Sequence, residues 1–415
     1  MANLNVVPAP PAVLAPKPKP QPVTIGDHIK LSDHSWKIIA ILGQGGYGCV
    51  YKTRRCAGDT MDAEEFALKT EFITGKRQAM RLKIEVMVFV EVASAPEERR
   101  RHFIDAIERG TTTTFRWIVM ELVGPSLDTI RKDLKVNFSK STALQCASQT
   151  LEAIEDLHSL NFLHRDIKPA NFCIGIKEYE STVFILDFGI ARKFTTDNGQ
   201  IREARKKTKF IGTQRFCARA SHFMKEQGRK DDVESWYFMV LDLLDGEKGV
   251  PWKGQPKDEV LEKKKRLFTD PLWICSVCDK VPKALTGMTV LIDLPHYEAV
   301  PDYKAIQAVI NKAADESRVK MTDPMDWINK QFKSTSMTTP ARENDSAKAE
   351  GSTSETERKK KSVSKPNTNA VPSKKRESNK AVLNQPREKE REKEKKSDND
   401  PAQNLATDQK DQSKE

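Results

Sequence analysis

The chain has 415 residues, 38% of them hydrophobic and 31% charged, with a formal net charge of +11 at pH 7. Globular domains average roughly 45–50% apolar residues, so part of this chain cannot belong to a packed core. No apolar run approaches the ~18 residues of a membrane span, and Met1 to Pro22 lacks the charged start and apolar centre of a secretory leader.

The apolar deficit is local. Residues 1–24 carry Pro8, Pro10, Pro11, Pro16, Pro18, Pro20 and Pro22, a composition that predicts an extended, disordered segment. Residues 331–415 are dominated by Lys, Arg, Glu, Ser, Asn and Asp, which bury too little surface to offset ordering entropy. A disordered charged tail is expected there. Residues 25–330 remain, enough for a two-lobed core.

Ile38 to Leu42 and Cys49 to Tyr51 are apolar runs flanking Gly43-Gln44-Gly45-Gly46-Tyr47-Gly48-Cys49-Val50, which fits G-x-G-x-x-G-x-V. This order is strand, glycine turn, strand, whereas a dinucleotide-binding turn leads into a helix. Glycines let a backbone approach phosphates closely, although a plain hairpin turn would look alike if the motif stood alone. Phe66-Ala67-Leu68-Lys69 reads as a third strand ending on a lysine. Lys76 to Val92 predicts a helix with Glu85 at its centre, and a carboxylate on an apolar helix face needs a partner. Glu85 is matched to Lys69, with Glu71 and Glu91 as runners-up. Phe103 to Arg109 and Phe115 to Met120 predict two strands around Gly110-Thr111-Thr112-Thr113-Thr114. Ser139 to Leu160 predicts a buried helix with Leu144, Ala147, Leu151 and Ile154 on one face.

His164-Arg165-Asp166-Ile167-Lys168-Pro169-Ala170-Asn171 then reads as H-R-D-x-x-x-x-N, followed by Asp187-Phe188-Gly189. Both motifs in order resemble the catalytic centre of a protein kinase. Phosphoryl transfer demands positioning and charge neutralisation more than covalent chemistry. Asp166 is expected to accept the proton of the incoming hydroxyl and Lys168 to neutralise the transferring group. Asn171 and Asp187 are expected to hold Mg2+ against the phosphates of ATP. In this frame Leu42, Gly43, Gln44, Gly45, Gly46, Tyr47, Gly48, Cys49 and Val50 form a lid over the nucleotide. Ala67, Met120, Glu121 and Val123 line the adenine slot, Lys69 pairs with phosphate, and Glu121-Leu122-Val123-Gly124 is the hinge. The expected fold is α+β and bilobal: a small β-rich lobe to about residue 120, a hinge at 121–124, and a mainly helical lobe over 125–330. Val233 to Leu241 is apolar almost all round, hence a central helix. Asp232 before it is expected to accept hydrogen bonds from the catalytic loop, a simple N-cap being the competing reading.

Lys168 is similar to the serine/threonine form of the catalytic loop. Met120-Glu121-Leu122-Val123-Gly124-Pro125-Ser126-Leu127 and Gly212-Thr213-Gln214-Arg215-Phe216, with His222 and Gly228-Arg229-Lys230-Asp231-Asp232, resemble the casein kinase 1 superfamily. Leu186 to Thr195, Lys83-Ile84-Glu85-Val86 and Pro324-Met325-Asp326-Trp327 look closest to its tau-tubulin kinase branch. The resemblance covers roughly residues 25–330. Ala218-Arg219-Ala220, Phe216 and Cys217 depart from the superfamily's pattern beside the substrate groove. The resemblance implies an anion pocket that includes Arg215; an ungapped count from Pro251-Trp252-Lys253-Gly254 adds Lys263, with Lys264 and Lys265 as rivals.

The segment before this signature is basic (Lys193, Arg202, Arg205, Lys206, Lys207, Lys209), so acidic or pre-phosphorylated protein substrates are expected. The tail clusters Arg358-Lys359-Lys360-Lys361, Lys374-Lys375-Arg376 and Lys393 to Lys396 suit an acidic polymer such as microtubules, nuclear import, or mere solvation. The cysteines Cys49, Cys56, Cys146, Cys173, Cys217, Cys275 and Cys278 are scattered as in a reduced, intracellular chain. Cys275-Ser276-Val277-Cys278 lacks the second pair a zinc knuckle needs. The expectation is a monomeric, cytoplasmic serine/threonine kinase, with nuclear residence a second expectation and no membrane association. A nucleotide-binding pseudokinase scaffold acting through its tail is the competing class.

Overall fold

A computed structural model describes residues 22–45, 48–73, 80–135, 137–245, 248–330 and 332. Seven antiparallel strands open the chain: β1 (His28–Lys30), β2 (Ser35–Gly45), β3 (Gly48–Ala57), β4 (Thr60–Met61), β5 (Phe66–Phe72), β6 (Ala106–Thr111) and β7 (Phe115–Glu121). They form one sheet in the order β1-β2-β3-β5-β7-β6, with β4 paired to β3. Side chains alternate across a strand. Trp36, Ile38, Cys49, Tyr51, Leu68, Trp117 and Val119 therefore form a small outer core, while Leu42, Val50, Ala67, Ile118 and Met120 face the main core.

Helix α1 (Arg81–Ala93) packs on the inner face of the sheet through Leu82, Val88, Phe89 and Val92. Of the helix expected from Lys76 to Val92, the described part runs from Arg81, and residues 74–79 lie outside those described. The expected strand from Phe103 starts at Ala106: Phe103 and Ile104 turn into the main core instead of pairing.

The larger lobe is helical. It comprises α2 (Leu127–Leu134), α3 (Lys140–Ser159), α4 (Arg219–His222), α5 (Arg229–Asp245), α6 (Lys257–Thr269), α7 (Trp273–Val277), α8 (Met288–Ile292) and α9 (Tyr303–Ser317). Short ribbons β8 (Phe162–Leu163), β9 (Phe172–Ile174), β10 (Val183–Ile185) and β11 (Arg192–Lys193) pair as β9–β10 and β8–β11 and carry the loops of His164 to Asn171 and Asp187 to Gly189 between them. Ser126 and Ser139 cap α2 and α3 by accepting from Thr129 N and Thr142 N.

Helix α5 is buried on every side from Asp231 to Asp245. Asp232 is inside its first turns, so the N-cap reading fails. Asp231 supplies the cap-type bond, accepting from Gly228 N at 2.7 Å. The late segment also belongs to the core: Trp327 is buried against Phe138 and donates to Glu180 O at 2.9 Å.

Candidate active site

Strand β5 places Lys69 between Val50 of β3 and Ile118 of β7, with its side chain on the cleft face. Its Nζ lies 2.8 Å from Glu85 of α1 and 3.0 Å from Asp187. Burial works against the Lys69 charge, but Asp187 and Glu85 outweigh it and hold the ammonium above its usual range. Burial likewise disfavours the Asp187 carboxylate, yet Lys69 and Lys168 keep it well below the usual range. Burial pushes the Glu85 carboxyl up, partly offset by Lys69. The runners-up are engaged elsewhere: Glu71 accepts from Arg81 N at 2.9 Å, and Glu91 pairs with Lys193 at 2.9 Å.

Phe188 anchors the loop that bears Asp187. It touches Phe89 of α1, Phe103 and His164, with ring centroids 5.9, 6.1 and 5.6 Å away. Asp187 has φ +64° and Arg165 has φ +67°, left-handed conformations that cost non-glycine residues energy. The surroundings fix both. Arg165 donates through Nε and Nη2 to Ile190 O at 2.9 and 2.7 Å, and Asp187 is held by Lys69.

The catalytic loop hangs from Asp232. Its carboxylate accepts from His164 N at 2.7 Å and Arg165 N at 2.8 Å, and His158 Nε2 is 3.0 Å away. His164 Nδ1 accepts from Asp166 N, so its Nε2 donates to Leu186 O at 3.0 Å. Asp166 remains partly exposed. One carboxylate oxygen is 2.7 Å from Lys168 Nζ, and the other accepts from Thr213 Oγ1 at 2.8 Å. Asn171 Nδ2 donates to Asp166 O at 2.8 Å, which leaves its amide oxygen for another partner. Asp166 thus meets Lys168 and Asn171, and Asp187 meets Lys69.

Gly46 and Tyr47 lie outside the described residues. Leu42, Val50, Ala67, Met120 and Val123 share the main core with the cleft. Two expected lid and slot residues do not reach it by their side chains. Cys49 packs in the outer core, because adjacent strand residues face opposite ways and Val50 takes the inner position. Glu121 is exposed; its carboxylate accepts from Asp105 N at 2.9 Å and its backbone N donates to Asp105 O at 3.1 Å. Gln44 is exposed near the end of β2, between Gly43 and Gly45 and opposite Cys49.

Both members of the expected anion pair, Arg215 and Lys263, have partners within the protein. Arg215 Nη2 is bound to buried Asp242, which also holds Arg131 Nη1 at 2.7 Å and Val250 N at 3.1 Å. Lys263 donates to Pro251 O at 3.2 Å, and Lys265 pairs with Glu262 at 2.8 Å. Lys264 points inward and is fully buried.

Thr213 was marked in the sequence only as part of the Gly212 to Phe216 signature, and Asp242 and Glu226 were not singled out. Glu226 receives two bonds from Arg205 and lies 3.9 Å from Arg192. Burial, then Arg192 and Arg205, lower the Arg165 pKa to about 10, which marks a concentration of positive charge behind the catalytic loop. The one available signal was Asp242 itself, an acid within an apolar helical run.

Residues 36–288 match the family model described as "Protein kinase domain". The chain is similar to the Caenorhabditis elegans protein named "Putative serine/threonine-protein kinase ZK507.1", 39% identical over 273 residues, covering 66% of this chain and 81% of that one. It is similar also to "Serine/threonine-protein kinase spe-6" of the same organism, 36% identical over 317 residues, covering 75% and 80%.

Proposed function

The chain belongs to the protein kinase family, and on that premise we propose that it transfers the γ-phosphate of ATP to serine or threonine hydroxyls of proteins. The observation that carries this reading is the state of Asp166: partly exposed, oriented by Lys168 and Thr213, and held on a loop that Asp232 fixes. Its carboxylate would take the proton of the attacking hydroxyl, and Lys168 would offset charge on the group in transit.

The donor set fits Mg2+. Asn171 keeps its amide oxygen free of the bond its nitrogen makes, and Asp187 uses Oδ1 for Lys69. Among the described residues no three or more His, Cys, Asp or Glu gather as a metal cage. Hard oxygen ligands, few in number and completed by substrate phosphates, are the pattern magnesium uses. When bound, the ion would neutralise phosphate charge; Asn171 and Asp187 would hold it, and Lys69 would meet the phosphates.

The branch reading, casein kinase 1-like and closest to tau-tubulin kinases, is supported by the Gly212 to Phe216 segment, whose Thr213 meets Asp166. We assign an acidic substrate preference to the basic residues Lys206, Lys207, Lys209 and Lys257 rather than to Arg215, whose charge Asp242 offsets.

The test is purified full chain with Mg-ATP and an acidic protein. Phosphate on serine or threonine is expected, with Asp166→Asn reducing turnover by roughly a hundredfold or more while ATP still binds. Wild-type protein that binds ATP without transfer, or Asp166→Asn with near-normal turnover, would overturn the assignment.

A further inference from the structure

Lys264 is the most anomalous charge in the larger lobe. It lies in the middle of α6, with none of its side chain exposed. A buried ammonium normally needs a carboxylate, because desolvating a cation is costly. Here its partners are backbone, an imidazole and the Cys217 thiol, whose Sγ is 3.9 Å from Nζ. Nζ donates to Gln214 O at 2.9 Å and Cys217 O at 2.6 Å, and His222 Nε2 lies 3.4 Å away. The nearby Glu234 carboxylate is taken by Arg219 at 2.9 Å. The Phe238 ring lies beneath, 4.8 Å from Nζ.

An ammonium has three donors, and the two carbonyls, with the imidazole and the thiol sulfur farther off, share them. Burial, with Lys264 and Lys257 alongside, lowers the His222 pKa to about 3, so the imidazole stays neutral and free to accept. Packing alone does not call for this arrangement, since an apolar side chain of similar length would fill the space without desolvating a charge. What only a cation or donor can do is pull two carbonyls, three residues apart, towards one point.

Those carbonyls belong to the turn that faces the reaction. Phe216 N and Cys217 N donate to Thr213 O at 2.9 and 2.7 Å, and Trp252 Nε1 donates to Arg215 O at 2.8 Å. With Lys264 in place, the carbonyls of Thr213, Gln214, Arg215 and Cys217 all have donors. The same turn carries Thr213, whose hydroxyl donates to Asp166.

We propose that Lys264 is a positioning residue for protein substrate: its ammonium clamps the Gln214–Cys217 turn, which sets Thr213 against Asp166 and shapes the surface along which the substrate backbone lies. The proposal rests on the kinase reading above and adds a residue remote from nucleotide. Lys264 meets the reaction through this turn, so its effect falls on the peptide and not on ATP.

The experiment compares full-length wild type, Lys264→Met and Lys264→Gln, using Mg-ATP and an acidic serine peptide. For Lys264→Met, peptide kcat/KM is expected to fall at least tenfold, mainly through KM, while the KM for ATP stays within twofold. Lys264→Gln keeps amide donors and is expected to recover part of the loss. Thermal unfolding and nucleotide binding establish that each variant is folded. Peptide KM within twofold of wild type in both variants would overturn the proposal. So would a KM for ATP that rises in step with that for peptide, or failure of both variants to fold, either of which would make Lys264 a general structural support. An inactive wild type would instead overturn the kinase reading itself.

Discussion

Removing the Asp232 carboxylate should be among the most damaging single changes in the larger lobe. The group is fully buried and receives His164 N, Arg165 N and the His158 ring at 2.7–3.0 Å. Asp232→Ala strands two buried backbone N–H groups, each costing about 1–3 kcal/mol, and leaves the His158 ring without its partner. Breaking a buried ionic network from one side costs about 3–5 kcal/mol. For a domain of this size each kcal/mol lowers Tm by about 2–4 °C, so a fall of roughly 10 °C is expected. Asp232→Asn keeps one acceptor oxygen but turns a donor towards the other N–H, and should lie between the two. The pH dependence has a definite sign. Burial opposes the Asp232 charge, but His158, His164 and the loop N–H groups outweigh it and lower the folded pKa. Its stabilisation is therefore full above the unfolded carboxyl pKa of about 3.9 and disappears as pH falls through the lower folded value. Thermal melts of wild type and Asp232→Asn from pH 7 downward should converge only in that acid range. Turnover should fall with stability at neutral pH, because the loop bearing Asp166 loses its tether. An Asp232→Ala variant melting within 2 °C of wild type, with full turnover, would refute the argument.

Two further outcomes are expected. Gly48→Ala should destabilise the smaller lobe and weaken nucleotide binding, since a Cβ there would lie 1.8 Å from Thr70 O, whereas at Gly45 the nearest atom is 3.9 Å away; circular dichroism melts of Gly48→Ala and Gly45→Ala check the contrast, and equal melts would contradict it. Deleting residues 340–415 should change stability by less than about 1 kcal/mol and spare peptide turnover. Co-sedimentation of full-length protein with microtubules should exceed that of the truncation at low salt and fade as ionic strength rises, as screened surface charge requires; loss of peptide turnover on truncation would show instead that the tail assists the chemistry.

The catalytic constellation could be read in the sequence because its chemistry is local. His164 to Asn171 and Asp187 to Gly189 are short loops whose order fixes their roles, and Glu85 was marked by an acid on an apolar helix. What could not be read is where contacts span long separations. Three consecutive lysines, Lys263 to Lys265, are indistinguishable in sequence. Helix rotation alone turns Lys264 inward and leaves Lys263 on Pro251 O. Counting along the chain therefore could not say which of the three turns inward. The face of Cys49 was readable from the two-residue period beside Val50, but the glycine motif masked the alternation.

The partners of α5 show how far such a reading can go. Asp231, Glu234, Asp242 and Asp245, spaced three, eight and three residues apart, share one side of a helix that is apolar from Trp236 to Leu241. Solvent cannot satisfy acids on a buried helix, so most must meet a basic group or a backbone donor. Asp231 holds Gly228 N and Lys230, Glu234 holds Arg219, and Asp242 holds Arg131 and Arg215; Asp232, a little round the helix, holds the catalytic loop. The two arginines from the substrate-facing segment, Arg215 and Arg219, are thus both turned towards α5. An acidic substrate must find its positive charge in the exposed lysines around them. That consequence follows from the stripe of acids, which is visible in the sequence, and from the identity of their partners, which only the fold supplies.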